Sequence, residues 1–557
     1  MRMPRQAWQT LAHVGFMAAL AIFVVWPLLA TGGWYASHER DWYVLRLFAL
    51  DQMLADGQDT IRWCPIMYQG YGYPFFNFYP PVTYFLAEGF HLLGLSEVAS
   101  YTALLLGLTF VQQVFLYLFV RARWGAAAGL VAAVAYTLAP YHFANLYWRG
   151  ALAEYAACAL FPMALYLFHR FLATGSALAW VGATASQGLL VATHNISALL
   201  FTAILGATVV FEWAIRPAVR PRVLAAMGSL AGALVVSAGA WMPAFFEKDL
   251  VTLDRNLAGW FDFNKHFLPA RRIAMSLAGD GEPLLTVGLP GVLGVLAAGV
   301  LAVLGRVGER ATLWFYLAVG LVAAFLITSW SAWIWPRVPL LPFLQFPWRF
   351  LMVVSLAAAI VGSAWLAAVP QARGLRIAVA AAAIVALLAI QGPGIRSFRP
   401  QPVDPSHLTL SYFLDNKEIT SFDEYTPRTV PKDPPHRTGH ARLAKGHGRV
   451  VEASRDGVIY SVGVETQGPA VVQVAAFFHP GWVATVDGAQ VDIRPDADGL
   501  IEVPVPGGRA DVIVRYRGTV LETAGSVVSL VSLLLLAIAA VAVPVIRRRR
   551  LRTLPAS

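Results

Sequence analysis

Long apolar segments recur along the whole chain and constrain its fold more than any other feature. A helix needs about 20 consecutive apolar residues to cross the hydrocarbon core of a bilayer. Hydrophobic residues make up 58% of the sequence and charged residues 13%, whereas a soluble protein carries about 25% charged residues. The sequence therefore predicts a polytopic helical membrane protein. We expect about 12 spans, at residues 11–31, 97–120, 126–142, 151–171, 177–193, 196–214, 222–245, 284–305, 311–328, 348–369, 374–391 and 523–546.

The basic residues lie mostly in short loops between these segments and in the C-terminal tail, Arg547–Arg550. With a formal net charge of +10, this distribution is typical of topology signals and not of a nucleic-acid surface. Placing the basic loops in the cytoplasm puts both termini there as well. It also requires residues 80–95, which begin Pro80-Pro81, to form an interfacial or re-entrant helix on the outer side. The informative polar loops, among them 32–96 and 246–283, then all fall on the outer face.

Residues 392–522 are the only sizeable polar stretch. From about Val450 they alternate apolar and polar residues, with a turn signal at Asp487-Gly488. This pattern predicts a small antiparallel β-domain, sandwich-like, outside the cytoplasm. The expected fold is an all-α polytopic membrane bundle with this C-terminal β-domain. Its parts are a transmembrane domain (1–391), the extracytoplasmic domain (392–522), and a final transmembrane helix with a basic tail (523–557).

The first outer loop places Glu39, Arg40 and Asp41 beside a run of aromatic residues. A carboxylate in such a sheltered place can act as a general base on an acceptor hydroxyl or bind a divalent cation. We expect Asp41 to be catalytic and Glu39 and Arg40 to bind substrate. The alternative is that Asp41 is an ordinary solvated loop carboxylate.

Ionisable residues also lie at the ends of later spans. Arg149 precedes a span that Glu154 begins, and ionisable groups at such positions are costly and often functional. His194 and Asn195 lie between two spans on the outer side. We expect Glu154 and His194 to be catalytic and Arg149 and Asn195 to bind substrate. The alternatives are a local Arg–Glu pair and a polar helix tip that Asn195 caps.

A cluster of basic residues lies on the expected outer face, although basic residues of membrane proteins usually concentrate in cytoplasmic loops. The 246–283 loop carries Arg255, His266, Arg271 and Arg272, and Arg349 begins a later span within an aromatic belt. Arginines of this kind suit an anionic head group such as a lipid phosphate or pyrophosphate. A basic surface near anionic lipid is the alternative. The sequence has no P-loop, dinucleotide fingerprint, zinc-ligand spacing or nucleophile elbow.

The sequence contains eight motifs that are long enough to compare with known families. They are His38…Asp41, Arg62-Trp63-x-Pro65, the aromatic run Gly70–Pro81, Tyr147-x-Arg149-Gly-Ala-Leu-x-Glu154, His194-Asn195, Leu344-Gln-Phe-Pro-Trp-Arg349, Asp423-Glu424-Tyr425-x-Pro427 and Pro480-Gly-Trp482…Asp487-Gly488. Together they resemble a family of bacterial membrane proteins labelled 6-pyruvoyl-tetrahydropterin synthase-related, which is similar to YfhO-type proteins. Soluble pterin synthases of that name are zinc enzymes with a histidine cluster, and this sequence has no such cluster.

The wider resemblance is to the GT-C superfamily of lipid-linked glycosyltransferases. Members of that superfamily resemble this sequence in four features. These are an acidic residue in the first outer loop, interfacial helices, a further acidic residue later in the chain, and a large outer loop. The resemblance implies a multi-pass enzyme of the bacterial cytoplasmic membrane that uses a polyprenyl-phosphate sugar donor and a glycan, lipid or protein acceptor of the envelope. A divalent cation at Asp41 is possible. One alternative is a non-catalytic scaffold that binds glycan or lipid. A transporter is a second alternative, but the clustering of ionisable residues on one face argues against it, because a transport path should place some of them near the middle of the membrane.

Overall fold

The chain folds into a long series of helices, two β-sheets and a last helix. A computed structural model describes residues 5–39, 41–58, 60–254, 258–275, 284–370, 372–416, 424–431, 434, 437 and 439–552. The α-helices are α1 Arg5–Thr31, α2 Trp42–Ala55, α3 Phe75–Phe78, α4 Val82–His91, α5 Glu97–Trp124, α6 Ala126–Thr137, α7 Pro140–Phe143, α8 Leu152–Thr174, α9 Ala177–Thr193, α10 Asn195–Ile215, α11 Val223–Val236, α12 Ala238–Phe246, α13 Ala270–Ala274, α14 Leu289–Val303, α15 Arg310–Ile327, α16 Leu351–Ser363, α17 Arg373–Gln391, α18 Leu410–Asp415 and α19 Val520–Arg552.

Helices stand at every position where the sequence predicts a span. Within the described residues, nine helical segments are long and apolar enough to cross a membrane, and a bent pair, α6 with 140–148, makes up to ten. Two further apolar helices, α9 and α14, have 17 and 15 residues, so the count of 12 spans stays a prediction. The nine segments are Ala7–Thr31, Glu97–Trp124, Leu152–Thr174, Asn195–Ile215, Pro217–Val236, Arg310–Ile327, Pro347–Ala368, Gly374–Ser397 and Val520–Ala542.

The segment between α1 and α5 is a packed unit rather than an open loop. It contains α2, which the sequence analysis did not predict, and the ten-residue α4. The Arg46 guanidinium is buried there, 4.4 Å from the Phe75 ring centre and donating to the Tyr84 hydroxyl at 3.3 Å. Helix α4 is too short to cross a bilayer. It corresponds to the predicted interfacial helix, whose place relative to the membrane stays a prediction.

The C-terminal domain consists of two antiparallel sheets. Their strands are β1 Ala441–Lys445, β2 Gly448–Asp456, β3 Ile459–Thr466, β4 Ala470–Phe477, β5 Trp482–Val486, β6 Ala489–Val491, β7 Arg494–Pro495, β8 Leu500–Val505 and β9 Gly508–Tyr516. The strand order is β1-β4-β8-β7 in one sheet and β2-β3-β9-β5-β6 in the other.

The first strand begins at Ala441, earlier than the predicted start near Val450. Strand β1 pairs with β4 at an edge of its sheet, and its own sequence alternates too weakly to be recognised. Asp487 and Gly488 both have positive φ, 50° and 80°, as the turn between β5 and β6 requires.

The β-domain packs directly on the segment between α1 and α5. Trp63 is fully buried against Trp482 and Tyr516, with ring centres 5.6 and 5.3 Å away. The Arg455 guanidinium donates to the Pro65 carbonyl at 2.8 Å. The backbone N–H of Phe477 donates to the Tyr71 carbonyl at 3.0 Å. The first loop and the β-domain are therefore held to each other by specific contacts.

Candidate functional site

A cavity of about 590 Å³ lies where the first loop, the ends of several membrane helices and the start of the C-terminal region meet. Its wall contains both apolar and charged residues. The apolar residues include Phe78, Ile196, Leu199, Ala244, Phe245, Leu253, Phe261, Leu340, Phe343 and Phe346. The polar residues include His38, Glu39, Arg149, Glu154, His194, Asn195, Lys248, His266, Gln345, Arg349 and Glu424.

Glu154 organises the charged residues of the cavity. Its carboxylate, 1% exposed at the start of α8, accepts from Arg149 Nη1 at 3.0 Å and from Arg349 Nε at 3.2 Å. The Tyr141 hydroxyl and Asn145 Nδ2 donate to its other oxygen. All four partners are buried. A carboxylate so fully engaged is placed to hold the two guanidiniums rather than to accept a further proton.

Both guanidiniums are fixed by additional contacts. Arg149 lies 4.5 Å from the Trp348 ring centre. Arg349 donates through Nη1 to the Leu344 carbonyl at 2.7 Å and to Gln345 Oε1 at 3.1 Å. Two cations thus share one carboxylate in a buried place. Such an arrangement carries an excess positive charge and suits an anion that can accept hydrogen bonds from both.

Glu39 reaches the cavity because its backbone is tied to the chain beside Arg149. The N–H of Glu39 donates to the Arg149 carbonyl at 3.1 Å, and that of His38 donates to the Trp148 carbonyl at 3.3 Å. The next residue, Gly150, has φ +71°, and a Cβ there would lie 2.3 Å from Ser37 Oγ. Only glycine allows this close approach without displacement. The geometry places a carboxylate next to the arginine pair.

The surroundings of Glu39, whose side chain is 29% exposed, raise the pKa of its carboxyl. Burial raises the pKa of its carboxyl above the ordinary value, the Arg46 guanidinium, 3.9 Å away, lowers that pKa in part, and Glu424 raises it again. A carboxyl whose pKa is raised toward the working pH is suited to general-base chemistry. Glu39 is therefore the carboxylate of this cavity whose surroundings best fit proton transfer.

His194 and Asn195 occupy the turn between α9 and α10. His194 Nδ1 accepts from the Ser197 backbone N–H at 3.2 Å and lies 2.7 Å from Ser197 Oγ. With Nδ1 accepting, a neutral imidazole carries its proton on Nε2 and can donate it in a hydrogen bond. Asn195 Oδ1 is buried and has no hydrogen-bond partner among the described residues. Both side chains can therefore offer polar contacts to an occupant.

Not every residue singled out in the sequence lines this cavity. Asp41 precedes α2 and pairs with His407 at 3.3 Å. Arg271 and Arg272 lie on α13, away from the cavity wall. Arg40 and Arg255 fall outside the described residues. The seven other residues named in the sequence analysis do line it, namely Glu39, Arg149, Glu154, His194, Asn195, His266 and Arg349.

Other residues of the cavity were not expected to be functional. Glu424 is 5% exposed and belongs to the motif Asp423-Glu424-Tyr425-x-Pro427, which was the available signal. The Tyr43 hydroxyl lies 2.8 Å from that of Tyr79 and accepts from the Ala153 N–H at 3.1 Å. Nothing in the local sequence distinguishes Tyr43 from its aromatic neighbours.

The possible divalent cation at Asp41 stays a prediction. Within the ranges given above, no group of three His, Cys, Asp or Glu side chains is arranged to hold a metal ion. Asp41 has one such neighbour, His407. Protein sites for hard cations use several oxygen ligands. Any cation bound there would depend on oxygens from the substrate or water.

Three solved structures of membrane glycosyltransferases are similar to this chain. Arabinofuranosyltransferase AftD from Mycobacteria shares 15% identity, with a TM-score of 0.47 over 71% of this chain and 27% of that one. The archaeal oligosaccharyltransferase AglB from Archaeoglobus fulgidus, solved with an inhibitory peptide and a dolichol-phosphate, shares 14%, with a TM-score of 0.40 over 77% and 62%. Arabinosyltransferase EmbB from Mycobacterium smegmatis shares 11%, with a TM-score of 0.36 over 93% and 64%.

This chain thus spans less than two thirds of the length of each of these enzymes. A comparison of the sequence with curated proteins gives no match. The model of one family, described as 6-pyruvoyl-tetrahydropterin synthase related domain, membrane protein, matches residues 76–394. That range contains α4 to α17 and most of the cavity wall. Because the match covers more than half of the chain, the protein belongs to the 6-pyruvoyl-tetrahydropterin synthase-related family of membrane proteins.

Proposed function

We propose that this protein is an integral-membrane glycosyltransferase of the GT-C type. It takes a sugar from a polyprenyl-phosphate donor at the outer face of the bacterial cytoplasmic membrane and passes it to an envelope glycan, lipid or protein. The observation that carries the proposal is the buried pair Arg149 and Arg349, held by Glu154 in the wall of a mostly apolar cavity. Such a cavity suits an amphiphile with an anionic head.

The arginine pair binds the donor phosphate. When the bond between sugar and phosphate breaks, negative charge grows on the leaving oxygen, and preorganised cations stabilise it. Arg349 is held at the required place by Glu154 and the Leu344 carbonyl. Because both guanidiniums are fixed before the donor arrives, little reorganisation is needed during the reaction.

The apolar residues of the wall accommodate the first part of the polyprenyl chain. Leu199, Phe245 and Phe343 line the cavity and are also 40%, 48% and 37% exposed. Leu199 belongs to α10, one of the candidate spans. Apolar residues exposed on the surface of a span face lipid. The donor therefore reaches the arginines sideways from the outer leaflet.

Glu39 is the general base. Its carboxylate removes the proton of the acceptor hydroxyl while that oxygen attacks the anomeric carbon, and the bond to the phosphate oxygen breaks. The products are glycosylated acceptor, polyprenyl phosphate and a protonated Glu39, which returns its proton to water. A single displacement of this kind inverts the anomeric configuration. His194 and Asn195 bind sugar hydroxyls, and Asp41 is the second candidate for the base.

The β-domain lies outside the cytoplasm and both termini lie inside it. Glu424 and Tyr425, which line the cavity, lie 17 and 16 residues before Ala441, where the first strand of this domain begins. The domain is thereby connected through the chain to the place where the acceptor must come. Its role is to bind the acceptor or to cover the site during transfer.

The test is product formation in proteoliposomes from a panel of polyprenyl-phosphate sugars. The wild type should release polyprenyl phosphate and form a glycosylated product from at least one donor. Arg349→Gln should lose both donor binding and transfer, while Arg337→Gln, an arginine outside the cavity wall, should keep them. A wild type that binds the donors but transfers from none is a scaffold. Unchanged transfer by Arg349→Gln would place the phosphate elsewhere.

A further inference from the structure

A second cavity of about 440 Å³ lies between α14, α15 and α16, on the surface of the helical bundle. We call it the α14–α16 groove. Its floor contains small residues, among them Gly320 and Ala357. The groove edges include Leu296 and Leu321, which are 60% and 61% exposed. The groove therefore opens on the face that these spans present to lipid.

The lining of the groove suits hydrocarbon. The hydroxyls on its wall belong to Tyr316 and Thr328, and both are already hydrogen-bonded within the protein. Tyr316 Oη lies 3.4 Å from Thr208 Oγ1, and Thr328 Oγ1 donates to the Phe325 carbonyl at 2.8 Å. A polar ligand would lose its hydration there without replacement, which is costly. A hydrocarbon chain makes no hydrogen bonds to water, so it loses none on entering the groove.

The length of the groove matches one leaflet. Along α15 it runs from Tyr316 to Thr328, about 18 Å at a rise of about 1.5 Å per residue. One leaflet is about half of the roughly 30 Å hydrocarbon core. A partner's transmembrane helix would need the full thickness. The groove is thus long enough for a single lipid chain and too short for a spanning helix.

The helix at one end of the groove carries two arginines. Helix α13 contributes Ala270, Ile273 and Ala274 to the wall. Arg271 and Arg272 follow Ala270 on this helix, outside the wall itself but within the reach of an arginine side chain from it. Trp330, 69% exposed, lies at the same end beside Thr328. Tryptophan and arginine together are typical of the membrane–water interface. The end of the groove next to α13 is therefore at the level of lipid head groups.

We propose that the α14–α16 groove and the two arginines of α13 form a binding site for a membrane lipid with a phosphate head group. One hydrocarbon chain lies along the groove, and its phosphate lies at Arg271 and Arg272. This site is separate from the cavity that contains Arg149, Glu154 and Arg349, which we call the donor cavity because of its proposed function. The two arginines expected from the sequence to bind the donor phosphate bind a different lipid phosphate instead.

The site is connected to the wall of the donor cavity through the chain that precedes α13. The Leu268 N–H donates to the Ile327 carbonyl at 3.0 Å, and Val287 N–H donates to the Ile273 carbonyl at 2.8 Å. Phe261 and His266, a few residues before, line the donor cavity. A lipid held at α13 therefore stabilises one wall of that cavity.

The experiment uses the full-length protein in phosphatidylcholine nanodiscs with a photoactivatable phosphatidic acid carrying a diazirine in its acyl chain. Mass spectrometry maps the labelled peptides. Labelling should concentrate on α14 and α15, and a diacylglycerol with the same chain should label them about tenfold less, since the head-group charge is missing. Unlabelled phosphatidic acid should compete, and inorganic phosphate should not.

Variants with matched controls test the two parts of the site separately. Arg271→Gln with Arg272→Gln should reduce the labelling about tenfold, whereas Lys265→Gln in the same segment should not. Ala324→Phe fills the groove and should abolish labelling, whereas Val322→Phe, 59% exposed on the same helix outside the groove, should leave it unchanged. Equal labelling by both probes, or equal labelling of α1 and α19, would overturn the proposal. Full competition by inorganic phosphate would reduce it to a free-anion site.

Discussion

At the scale of single residues, the Glu154 carboxylate offsets part of the positive charge of Arg149 and Arg349 in the donor cavity. Glu154→Gln keeps the shape of the side chain but leaves Arg149 and Arg349 without their shared carboxylate. Breaking a buried ion pair costs about 3–5 kcal/mol, so we expect the free energy of unfolding to fall by that amount. Denaturant unfolding in detergent micelles measures it.

The control for Glu154 is the same exchange at an exposed ion pair. Glu465 accepts from Arg449 at 2.9 Å, and their side chains are 41% and 74% exposed. Such pairs contribute about 0–1 kcal/mol, so Glu465→Gln should unfold almost like the wild type. Equal destabilisation of the two variants would mean that Glu154 does not hold the arginines together.

The raised pKa of Glu39 predicts a pH dependence of transfer. A general base must be ionised, so the rate should fall as pH drops through the pKa of Glu39, above the value of about 4.3 for an ordinary glutamate. Glu424 contributes to raising that pKa. Glu424→Gln should therefore move the acidic limb of the kcat/KM profile to lower pH. If the acidic limb stays in place or moves to higher pH, the limb does not report the ionisation of Glu39.

Seven residues of the cavity wall were expected from the sequence, but not which acid of the first loop enters the cavity. Glu39 and Asp41 are two positions apart and have the same chemistry. The choice is made by a hydrogen bond from Glu39 N–H to the Arg149 carbonyl, which joins residues 110 positions apart. A local pattern contains no information on such a contact. The motifs around Arg149, Glu154 and Arg349 were recognised because ionisable residues are rare at span ends.

At the scale of elements, Gly150 connects the first loop to α8. Gly150→Ala would place a Cβ 2.3 Å from Ser37 Oγ at φ +71°, so residues 37–39 must move and Glu39 must leave its place. We expect a loss of transfer larger than the loss of folded protein. Adding Ser37→Gly should restore part of the activity. Gly33→Ala, whose Cβ would meet only Thr31 atoms at 3.9 Å, is the control, and equal loss in both variants would contradict this account.

The sequence predicted the apolar helices far better than the elements that depend on contacts with other parts of the chain. Apolar runs specify α5, α8 and α10 locally, because a helix in a bilayer satisfies all its backbone groups by itself. Helix α2 was missed since its buried side chains, among them Arg46, face an aromatic cluster rather than a periodic apolar face. Strand β1 was missed because pairing with β4, not its own pattern, makes it a strand.

At the scale of the whole molecule, Trp63 joins the first loop to the β-domain. Its ring is fully buried against Trp482, Tyr516 and His479. Trp63→Ala should cost about 3–5 kcal/mol and loosen the domain, so amide hydrogen exchange in β5 and β9 should accelerate. Trp333→Ala, at an indole that is 61% exposed, should leave the exchange unchanged. Unaltered exchange in Trp63→Ala would show that the domain is held by other contacts.

Long-range assembly explains what the sequence did not reveal. Glu424 lies far from Glu39 in the chain, and both line one cavity. Arg271 and Arg272 were grouped with the donor site by charge alone, and the fold places them on α13, whose residues Ala270, Ile273 and Ala274 line the α14–α16 groove instead. The path of each loop across the helical bundle determines which distant residues line the same cavity. Composition and periodicity specify the bundle and the β-domain, but not that path.

We propose that the cavity performs chemistry on a bound donor, and single-turnover kinetics test this most simply. The rate of transfer from a saturating polyprenyl-phosphate sugar is measured for the wild type, Glu39→Gln and Asp41→Asn. Glu39→Gln should bind the donor normally and transfer about 10²–10⁴ times more slowly, as the loss of a general base requires, while Asp41→Asn should keep most of its rate. A wild-type rate in Glu39→Gln would show that Glu39 is not the base.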